Sequence, residues 1–92
     1  MTVRHEPDHN RFTIETDSGT AELEYVLKKD RIVYVHTGVP EGARGQDVGT
    51  TLVEHGLAYA RENGLKVLPL CPFVKAYMEA HEETHDLLAR PL

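Results

Sequence analysis

The segment spanning residues 39–49 carries the residue types that bind anions. It is rich in glycine, contains one arginine, Arg44, and stands between an apolar, strand-like run and a helical pattern. The first N–H groups of a helix lack partners within the helix, and the helix dipole places partial positive charge at the same end. Phosphate groups bind readily there. The segment therefore predicts an anion site, although a plain strand-to-helix turn is the alternative.

Three further residues have side chains suited to nucleophilic or proton-transfer chemistry. Cys71 follows an apolar run and precedes Pro72, but a lone cysteine is often an inert buried residue. Tyr77 lies in a predicted helix and is equally compatible with a half-buried core position. His36 ends a predicted strand, and imidazole readily accepts a proton near neutral pH. A structural, hydrogen-bonded histidine is the alternative at that position.

Residues 81–85 match the H-E-x-x-H pattern of zinc proteases. Two histidines four residues apart on a helix share a face and can bind one metal ion. A catalytic zinc also needs a third protein ligand and a cleft, and only seven residues follow His85. We expect no metal site here.

Three predicted strands precede the anion-binding segment. Apolar residues alternate in residues 11–16 and again in 21–27, with a turn signal at 17–19 between them, and residues 31–37 are β-branched and aromatic. These patterns predict a three-stranded antiparallel meander. Residues 1–10 are polar and show no periodicity, so we expect a loose lead-in there.

Alternation along the third strand assigns a face of the sheet to each of its side chains. Successive side chains of a strand point to opposite faces. His36 is therefore expected on the face of Tyr34, and Thr37 on the opposite face with Val33 and Val35.

The firmest prediction is a helix from Asp47 or Val48 to Asn63. Small and apolar residues recur there at helical spacing and form one face, and Gly64 is a typical C-terminal stop. Glycine inside a helix costs up to ~1 kcal/mol relative to alanine. Gly56 therefore predicts close packing of this helix against the sheet.

A buried strand and a second helix complete the predicted elements. The strand is predicted at residues 65–70, and because a helix connects it to the third strand, the two strands should run parallel. The second helix is predicted from Phe73 to about His81, with Pro72 favourable near its start.

The composition describes an acidic chain. Its 92 residues suffice for one hydrophobic core, so we expect a single domain over residues 1–92. A net charge of −5 argues against a nucleic-acid surface. The one cysteine excludes an internal disulfide. No apolar run approaches the ~20 residues of a membrane span and no signal peptide is apparent, so we expect a cytoplasmic location without a membrane partner.

Residues 44–49 read Arg-Gly-Gln-Asp-Val-Gly and resemble the acyl-CoA loop of the GCN5-related N-acetyltransferases. That loop has the pattern Arg/Gln-x-x-Gly-x-Gly/Ala at the start of a helix. The order of elements over residues 30–85 is similar as well, and residues 71–74 (Cys-Pro-Phe-Val) are similar to a segment of the small single-domain YjdJ-like branch. The resemblance implies an α/β (α+β) fold, in which an antiparallel β-meander is followed by β-α-β-α with a mixed sheet.

The resemblance also implies transfer of an acetyl group from acetyl-CoA to an amine acceptor. The backbone N–H groups of the loop would bind the CoA pyrophosphate, and the pantetheine arm would lie between the strands that end at Val39 and Leu70. The cofactor-binding residues implied in this way are Thr37, Val39, Arg44, Gly45, Gln46, Asp47, Val48, Gly49 and Thr50.

The resemblance implies catalytic roles for Cys71 and Tyr77, and His36 joins them as a candidate because imidazole is a suitable base. The thiol of Cys71 could act as a general base, as a transient acyl acceptor or as a wall of the pocket. Tyr77 matches a tyrosine that protonates the departing CoA thiolate in many of these enzymes, but the usual Asn-x-x-Ala-x-x-x-Tyr spacing is not reproduced. His36 could deprotonate the acceptor amine.

Asp47 departs from the family pattern, because it stands where the first glycine is expected. Aspartate tolerates unusual backbone angles better than most residues. Its carboxylate would nevertheless repel the pyrophosphate unless it turns outward. A non-catalytic CoA- or acyl-CoA-binding module that kept the loop, and a structural domain without a ligand, are therefore alternatives to an enzyme.

For the amine that accepts the acetyl group, only the chemical class can be predicted. The chain lacks the N-terminal helices that usually form the acceptor pocket in this family. A large or flexible acceptor, such as a protein or peptide amine, therefore fits better than an enclosed metabolite. The oligomeric state is not predicted.

Overall fold

The computed structural model describes residues 1–92 and contains one five-stranded sheet with the strand order β1-β2-β3-β4-β5. Short 3₁₀ turns occupy Pro7–His9, Glu41–Ala43 and Glu82–Leu87. The strands and helices, in chain order, are β1 (Arg4–Glu6), β2 (Arg11–Thr16), β3 (Gly19–Leu27), β4 (Arg31–Gly38), α1 (Val48–Glu62), β5 (Lys66–Pro69) and α2 (Pro72–Ala80).

The sheet is mixed. Strands β1 to β4 form an antiparallel meander, and β5 lies parallel to β4. Helix α1 connects β4 to β5, so these three elements form the predicted β-α-β unit. The predicted fold class is confirmed.

Strand β1 corrects the expectation of a loose lead-in over residues 1–10. His5 pairs with Phe12 of β2, and the two rings stack with centroids 4.3 Å apart. The imidazole also forms a hydrogen bond of 2.6 Å with the Tyr25 hydroxyl. Three residues followed by Pro7 are too few to show an alternating pattern, so the sequence carried no signal for this strand.

Helix α1 buries the predicted apolar face against the sheet. A Cβ atom added at Gly56 would lie 2.8 Å from Cδ2 of Leu23 and 2.9 Å from the Tyr34 hydroxyl oxygen. That hydroxyl donates a hydrogen bond of 2.6 Å to the Gly56 carbonyl. The close packing predicted from Gly56 is confirmed. The buried residues of α1 are Val48, Gly49, Leu52, Val53, Gly56, Leu57 and Ala60.

Helix α2 packs on the same side of the sheet as α1. Val74 and Met78 are buried in the core that α1 shares with the sheet. The ring of Phe73 would meet a Cβ atom added at Gly49, and Tyr77 reaches Glu54 of α1. Neither helix has the length and apolar character that a membrane span requires.

A β-bulge interrupts the pairing of β3 with β4. Tyr25 lies opposite Tyr34, whereas its neighbour Glu24 lies opposite His36. Val35 is therefore an extra residue in β4. A bulge of this kind shifts the side-chain alternation of every later residue in its strand.

The bulge reverses the predicted orientations of His36 and Thr37. Thr37 lies opposite Leu23, a fully buried residue of the core, and so faces the helices. His36 lies opposite Glu24 and faces the other side of the sheet. The prediction from strict alternation was wrong because one inserted residue changes which face each side chain occupies.

Candidate functional site

A pocket of about 340 Å³ opens between the end of β4, the following loop and the start of α1. This volume lies within the range of roughly 300–1,000 Å³ that is typical of ligand sites. All of the predicted cofactor-binding residues except Gln46 line it, together with Ala43 and Phe73. The lining residues are Thr37, Val39, Ala43, Arg44, Gly45, Asp47, Val48, Gly49, Thr50 and Phe73.

The backbone of the loop and first helical turn offers unpaired donors. No N–H group of residues 45–50 donates a hydrogen bond to another group of the protein. The first paired N–H of α1 is that of Thr51, which donates to the Asp47 carbonyl at 2.9 Å. The helix dipole adds partial positive charge at the same place. This arrangement can bind a phosphate-bearing ligand.

Two residues with positive φ angles turn the chain into α1. Gly45 has φ of +83° and Asp47 has φ of +60°. A side chain at Gly45 would meet no protein atom within 4 Å, so a ligand can approach the backbone closely there. Asp47 occupies a conformation that favours glycine, and aspartate is among the few other residues that adopt it readily.

The side-chain charges at the pocket are of both signs. Arg44 is exposed, and its Nε donates a hydrogen bond of 3.3 Å to the Val39 carbonyl. Asp47 lines the same pocket and makes no capping hydrogen bond to the helix. A phosphate bound here would therefore experience attraction from Arg44 and repulsion from Asp47.

Cys71 lies behind the wall of the pocket. Its Sγ is 3.3 Å from the hydroxyl oxygen of Thr37, which lines the pocket, and the residue is 3% exposed. The Cys71 N–H donates to the Tyr34 carbonyl at 2.9 Å. Pairing between β4 and β5 ends at Tyr34 and Pro69, so the thiol lies where the two strands part.

Tyr77 does not line the pocket. Its hydroxyl donates a hydrogen bond of 3.2 Å to Oε2 of Glu54, and its ring stacks on His81 at 3.9 Å. Partial burial raises the pKa of Tyr77, and the neighbouring Glu54 carboxylate raises it further. The side chain lines a separate groove between α1 and the C-terminal segment.

His36 lies on the face of the sheet opposite the helices. Its ring and the carboxylates of Glu22 and Glu24 come within 4.8 Å of one another. Glu22 also accepts a hydrogen bond of 3.0 Å from Arg11. Strict alternation had assigned His36 to the face of Tyr34, so the sequence did not indicate this cluster.

Phe73, like Ala43, lines the pocket but was not predicted as a site residue. Its ring packs on Gly49, where an added Cβ atom would lie 2.9 Å from the ring. The ring is 45% exposed at the mouth of the pocket. In the sequence, this contact could have been inferred only by pairing a small residue of α1, Gly49, with an aromatic residue of α2, Phe73.

The H-E-x-x-H segment does not form the helix of a zinc protease. Helix α2 ends at Ala80, and the later residues form a 3₁₀ turn. Nδ1 of His81 lies 2.7 Å from the Tyr77 carbonyl, and Nε2 of His85 lies 2.7 Å from the Met78 carbonyl. Because a carbonyl only accepts, each of these two ring nitrogens carries a hydrogen atom, and only the opposite nitrogen of each ring has a free lone pair.

Comparison with known proteins agrees with the geometry. Residues 11–87 match the family model for the GCN5-related N-acetyl-transferase. The structure is similar to the NMR solution structure of a GCN5-like candidate N-acetyltransferase from Staphylococcus aureus, with a TM-score of 0.76 and 29% sequence identity. The similarity covers 99% of this chain and 90% of that chain. No curated protein matches the chain in sequence.

Proposed function

The chain belongs to the GCN5-related N-acetyltransferase family, and we propose that it transfers an acetyl group from acetyl-CoA to an amine acceptor. The observation that carries this proposal is the row of unpaired N–H groups over residues 45–50 at the pocket. Donors fixed by the backbone require no reorganisation when a pyrophosphate binds. Arg44 supplies a positive charge beside them.

The open edge of β4 supports a path for the pantetheine arm. Beyond Tyr34, no residue of β4 pairs with β5. Along residues 36–38, the main-chain groups on the edge of β4 that faces β5 are therefore available to form hydrogen bonds with the amides of pantetheine. An arm that followed this edge from the loop would bring its thioester beside Thr37 and Cys71.

In the proposed reaction the amine nitrogen attacks the thioester carbonyl, the C–S bond breaks, and CoA leaves as a thiolate that takes up a proton. Side chains of the protein must therefore accept one proton from the amine and donate one to the sulfur of the departing CoA. His36 is the proposed acceptor, and because its side chain lies on the opposite face of the sheet from Thr37, the amine would approach from that face through the gap where β4 and β5 part. Cys71 acts beside the thioester, as a general base, a transient acyl acceptor or a wall of the pocket. Tyr77 would serve as the proton donor only after its hydroxyl leaves Glu54.

The charge around His36 supports a cationic acceptor. Glu24 and Glu22, of which Glu22 is already paired with Arg11, lie close to His36 on the sheet face that neither helix covers. Opposite charges attract over such distances, and a protonated amine would be drawn to this face. An uncovered face also accommodates an amine carried by a peptide or protein. Acetylation of a lysine-containing peptide supports this part of the proposal, and acetylation of small polyamines alone contradicts it.

Release of CoA and formation of the acetylated amine test the proposal directly. The wild-type protein is incubated with acetyl-CoA and a panel of amines, and the product is detected by mass spectrometry. If Cys71 takes part in the chemistry, Cys71→Ala lowers turnover by roughly 10²-fold, the usual contribution of a proton-transfer group. If turnover does not change, Cys71 is a wall of the pocket.

A non-catalytic CoA-binding module is the second candidate. The negative charge of Asp47 at the pocket and the engagement of Tyr77 with Glu54 favour it. Saturable binding of CoA, combined with no acetyl transfer to any amine of the panel, would support the module. Turnover would exclude it.

A further inference from the structure

We propose that Thr37 is a positioning residue for the Cys71 thiol. Its hydroxyl forms a hydrogen bond with the thiol and holds the sulfur against the wall of the pocket. The catalytic meaning of this contact depends on the proposed acetyltransferase function, whereas the contact itself can be tested without it.

The contact between the Thr37 hydroxyl and Cys71 links a residue that lines the pocket to a sulfur atom that is otherwise enclosed by protein. Oγ1 of Thr37 lies 3.3 Å from Sγ of Cys71, within hydrogen-bonding distance for sulfur. Cys71 is 3% exposed, whereas Thr37 is half-buried and lines the pocket. The backbone of Cys71 is held as well, because its N–H donates to Tyr34 and its carbonyl accepts from Lys75. The Thr37 hydroxyl therefore controls the side-chain orientation of a residue whose backbone is fixed.

The bulge at Val35 is what turns Thr37 toward the thiol. Without the extra residue, alternation from Tyr34 would direct Thr37 to the face away from the helices. With it, Thr37 lies opposite the buried Leu23 and on the side of Cys71. The same irregularity sends His36 to the face of Glu24. One inserted residue thus places His36, the proposed base for the amine, and Thr37, which contacts the thiol, on opposite faces of the sheet.

A hydroxyl suits this role because it both donates and accepts hydrogen bonds. It can accept from the S–H group when the sulfur is protonated, and it can donate to the sulfur when the proton has left. The contact can therefore persist through either proton-transfer or acyl-transfer chemistry at Cys71. Valine has nearly the same shape but can form neither bond, whereas serine keeps the hydroxyl.

The S–H stretching band in the Raman spectrum tests the contact. Cys71 is the only cysteine, so the band reports on this thiol alone, and Cys71→Ala removes it as an assignment control. We expect Thr37→Val to move the band to the frequency of a thiol without a hydrogen bond, and Thr37→Ser to keep it near the wild-type position. An identical band in the wild type and Thr37→Val overturns the proposal. Valine favours strands, so this variant retains β4.

Steady-state kinetics test the consequence of the contact. Loss of one hydrogen bond of about 0.5–1.5 kcal/mol corresponds to roughly a 2- to 12-fold change. We expect Thr37→Val to lower kcat by this factor, with a smaller change in KM for acetyl-CoA, and Thr37→Ser to restore kcat. Equal losses in both variants, expressed mainly in KM, would mean that Thr37 only lines the pocket. An inactive wild-type protein contradicts the acetyltransferase function, while the Raman band still decides whether Thr37 holds the thiol.

Discussion

Asp47 combines a glycine-like backbone with a negative side chain at the pocket. Its φ of +60° is strained for most residues, and its carboxylate stands where a pyrophosphate is proposed to bind. Two unit charges 4 Å apart repel by about 1 kcal/mol in water and by more where water is excluded. This residue should therefore limit the affinity for CoA.

We predict that Asp47→Gly binds CoA more tightly than the wild type, by roughly fivefold or more, since about 1 kcal/mol of repulsion is removed. Isothermal titration calorimetry at low ionic strength measures the change. Salt should reduce it because exposed charges are screened. Asp47→Asn is the matched control, because asparagine tolerates positive φ and removes only the charge. If Asp47→Asn binds CoA no more tightly than the wild type, repulsion by Asp47 is not a factor.

Most lining residues of the pocket followed from the resemblance of residues 44–49 to an acyl-CoA loop, which is detectable because a loop and the helix that follows it are local in sequence. Glycines, Arg44 and the helix start lie within a few positions of one another. Phe73 was not predictable in this way, since its contact with Gly49 joins residues of different helices. The separation of Tyr77 from the pocket likewise depends on its bond to Glu54 across two helices.

Helix α1 approaches the sheet most closely at Gly56. Alanine at this position would improve helix propensity by about 1 kcal/mol, but its Cβ would lie 2.8 Å from Leu23 and 2.9 Å from the Tyr34 hydroxyl oxygen. The cost of overpacking, about 1–3 kcal/mol, is the larger effect.

We predict that Gly56→Ala lowers the free energy of unfolding, by up to about 2 kcal/mol after the gain in propensity is subtracted. Urea denaturation measures the midpoint and the slope. Ala58→Gly, at an exposed position of the same helix, is the control for propensity alone and should cost about 1 kcal/mol. An unchanged or higher midpoint for Gly56→Ala would show that the helix can move away from the sheet without cost.

Strand β1 adds a pH-dependent contact to the sheet. The His5 ring stacks on Phe12 and bonds with the Tyr25 hydroxyl, and burial lowers the pKa of His5 below its ordinary value. The unfolded chain therefore binds a proton at this residue before the folded chain does. The contribution of neutral His5 to stability is complete above the ordinary pKa of about 6.5 and is lost as the pH falls through the lowered value.

We predict that the wild type loses more stability than His5→Phe when the pH falls from about 7 to about 5, the interval around the histidine pKa. Phenylalanine can stack on Phe12 and does not titrate, and the other histidines titrate in both proteins. Unfolding free energies from urea titrations at several pH values give the two slopes. Parallel slopes would contradict a role of His5 in the pH dependence.

The long elements were predictable from sequence and the irregular ones were not. Helix α1 repeats its apolar face over 15 residues, so its buried side was correct and its end was predicted to within one residue. The bulge at Val35 leaves no trace in composition, because it arises from how β3 and β4 pair. It changed the faces of two candidate site residues, His36 and Thr37. A single backbone irregularity therefore determines which of these two side chains faces the pocket.

The pocket is formed by parts of the chain that are distant in sequence and meet only in the folded protein. The end of β4, the loop, α1 and the start of α2 all contribute to its lining. Val48, Ala43 and Cys71 belong to the same buried core as the sheet residues. A ligand bound in the pocket should therefore stabilise the folded chain as a unit.

We predict a rise in Tm with CoA that depends on its concentration. At 100 times the Kd the stabilisation is about 2.7 kcal/mol, which corresponds to roughly 10–20 °C for a chain of this size. Differential scanning fluorimetry measures the shift, with pantetheine, which lacks the phosphates, as the matched control ligand. Equal shifts with both ligands would mean that the phosphates contribute nothing.

The order of the elements supplied more information than any single motif. A meander, a glycine-rich turn, a helix and a parallel strand are each common, but in this order they predicted the mixed sheet that the structure contains. The edge strand β1 and the C-terminal turn lie outside that local pattern. Their positions depend on long-range contacts, such as the stacking of His5 on Phe12 and the ion pair of Arg61 with Asp86.

Titration of the ¹⁵N-labelled protein with CoA, followed by amide NMR, shows whether the unpaired N–H groups of residues 45–50 bind the pyrophosphate of CoA. If they do, these amides show the largest shifts, the shifts saturate together, and pantetheine alone leaves them unchanged. Saturable shifts that avoid residues 45–50, or no saturable shift at all, would contradict binding of the pyrophosphate at this loop.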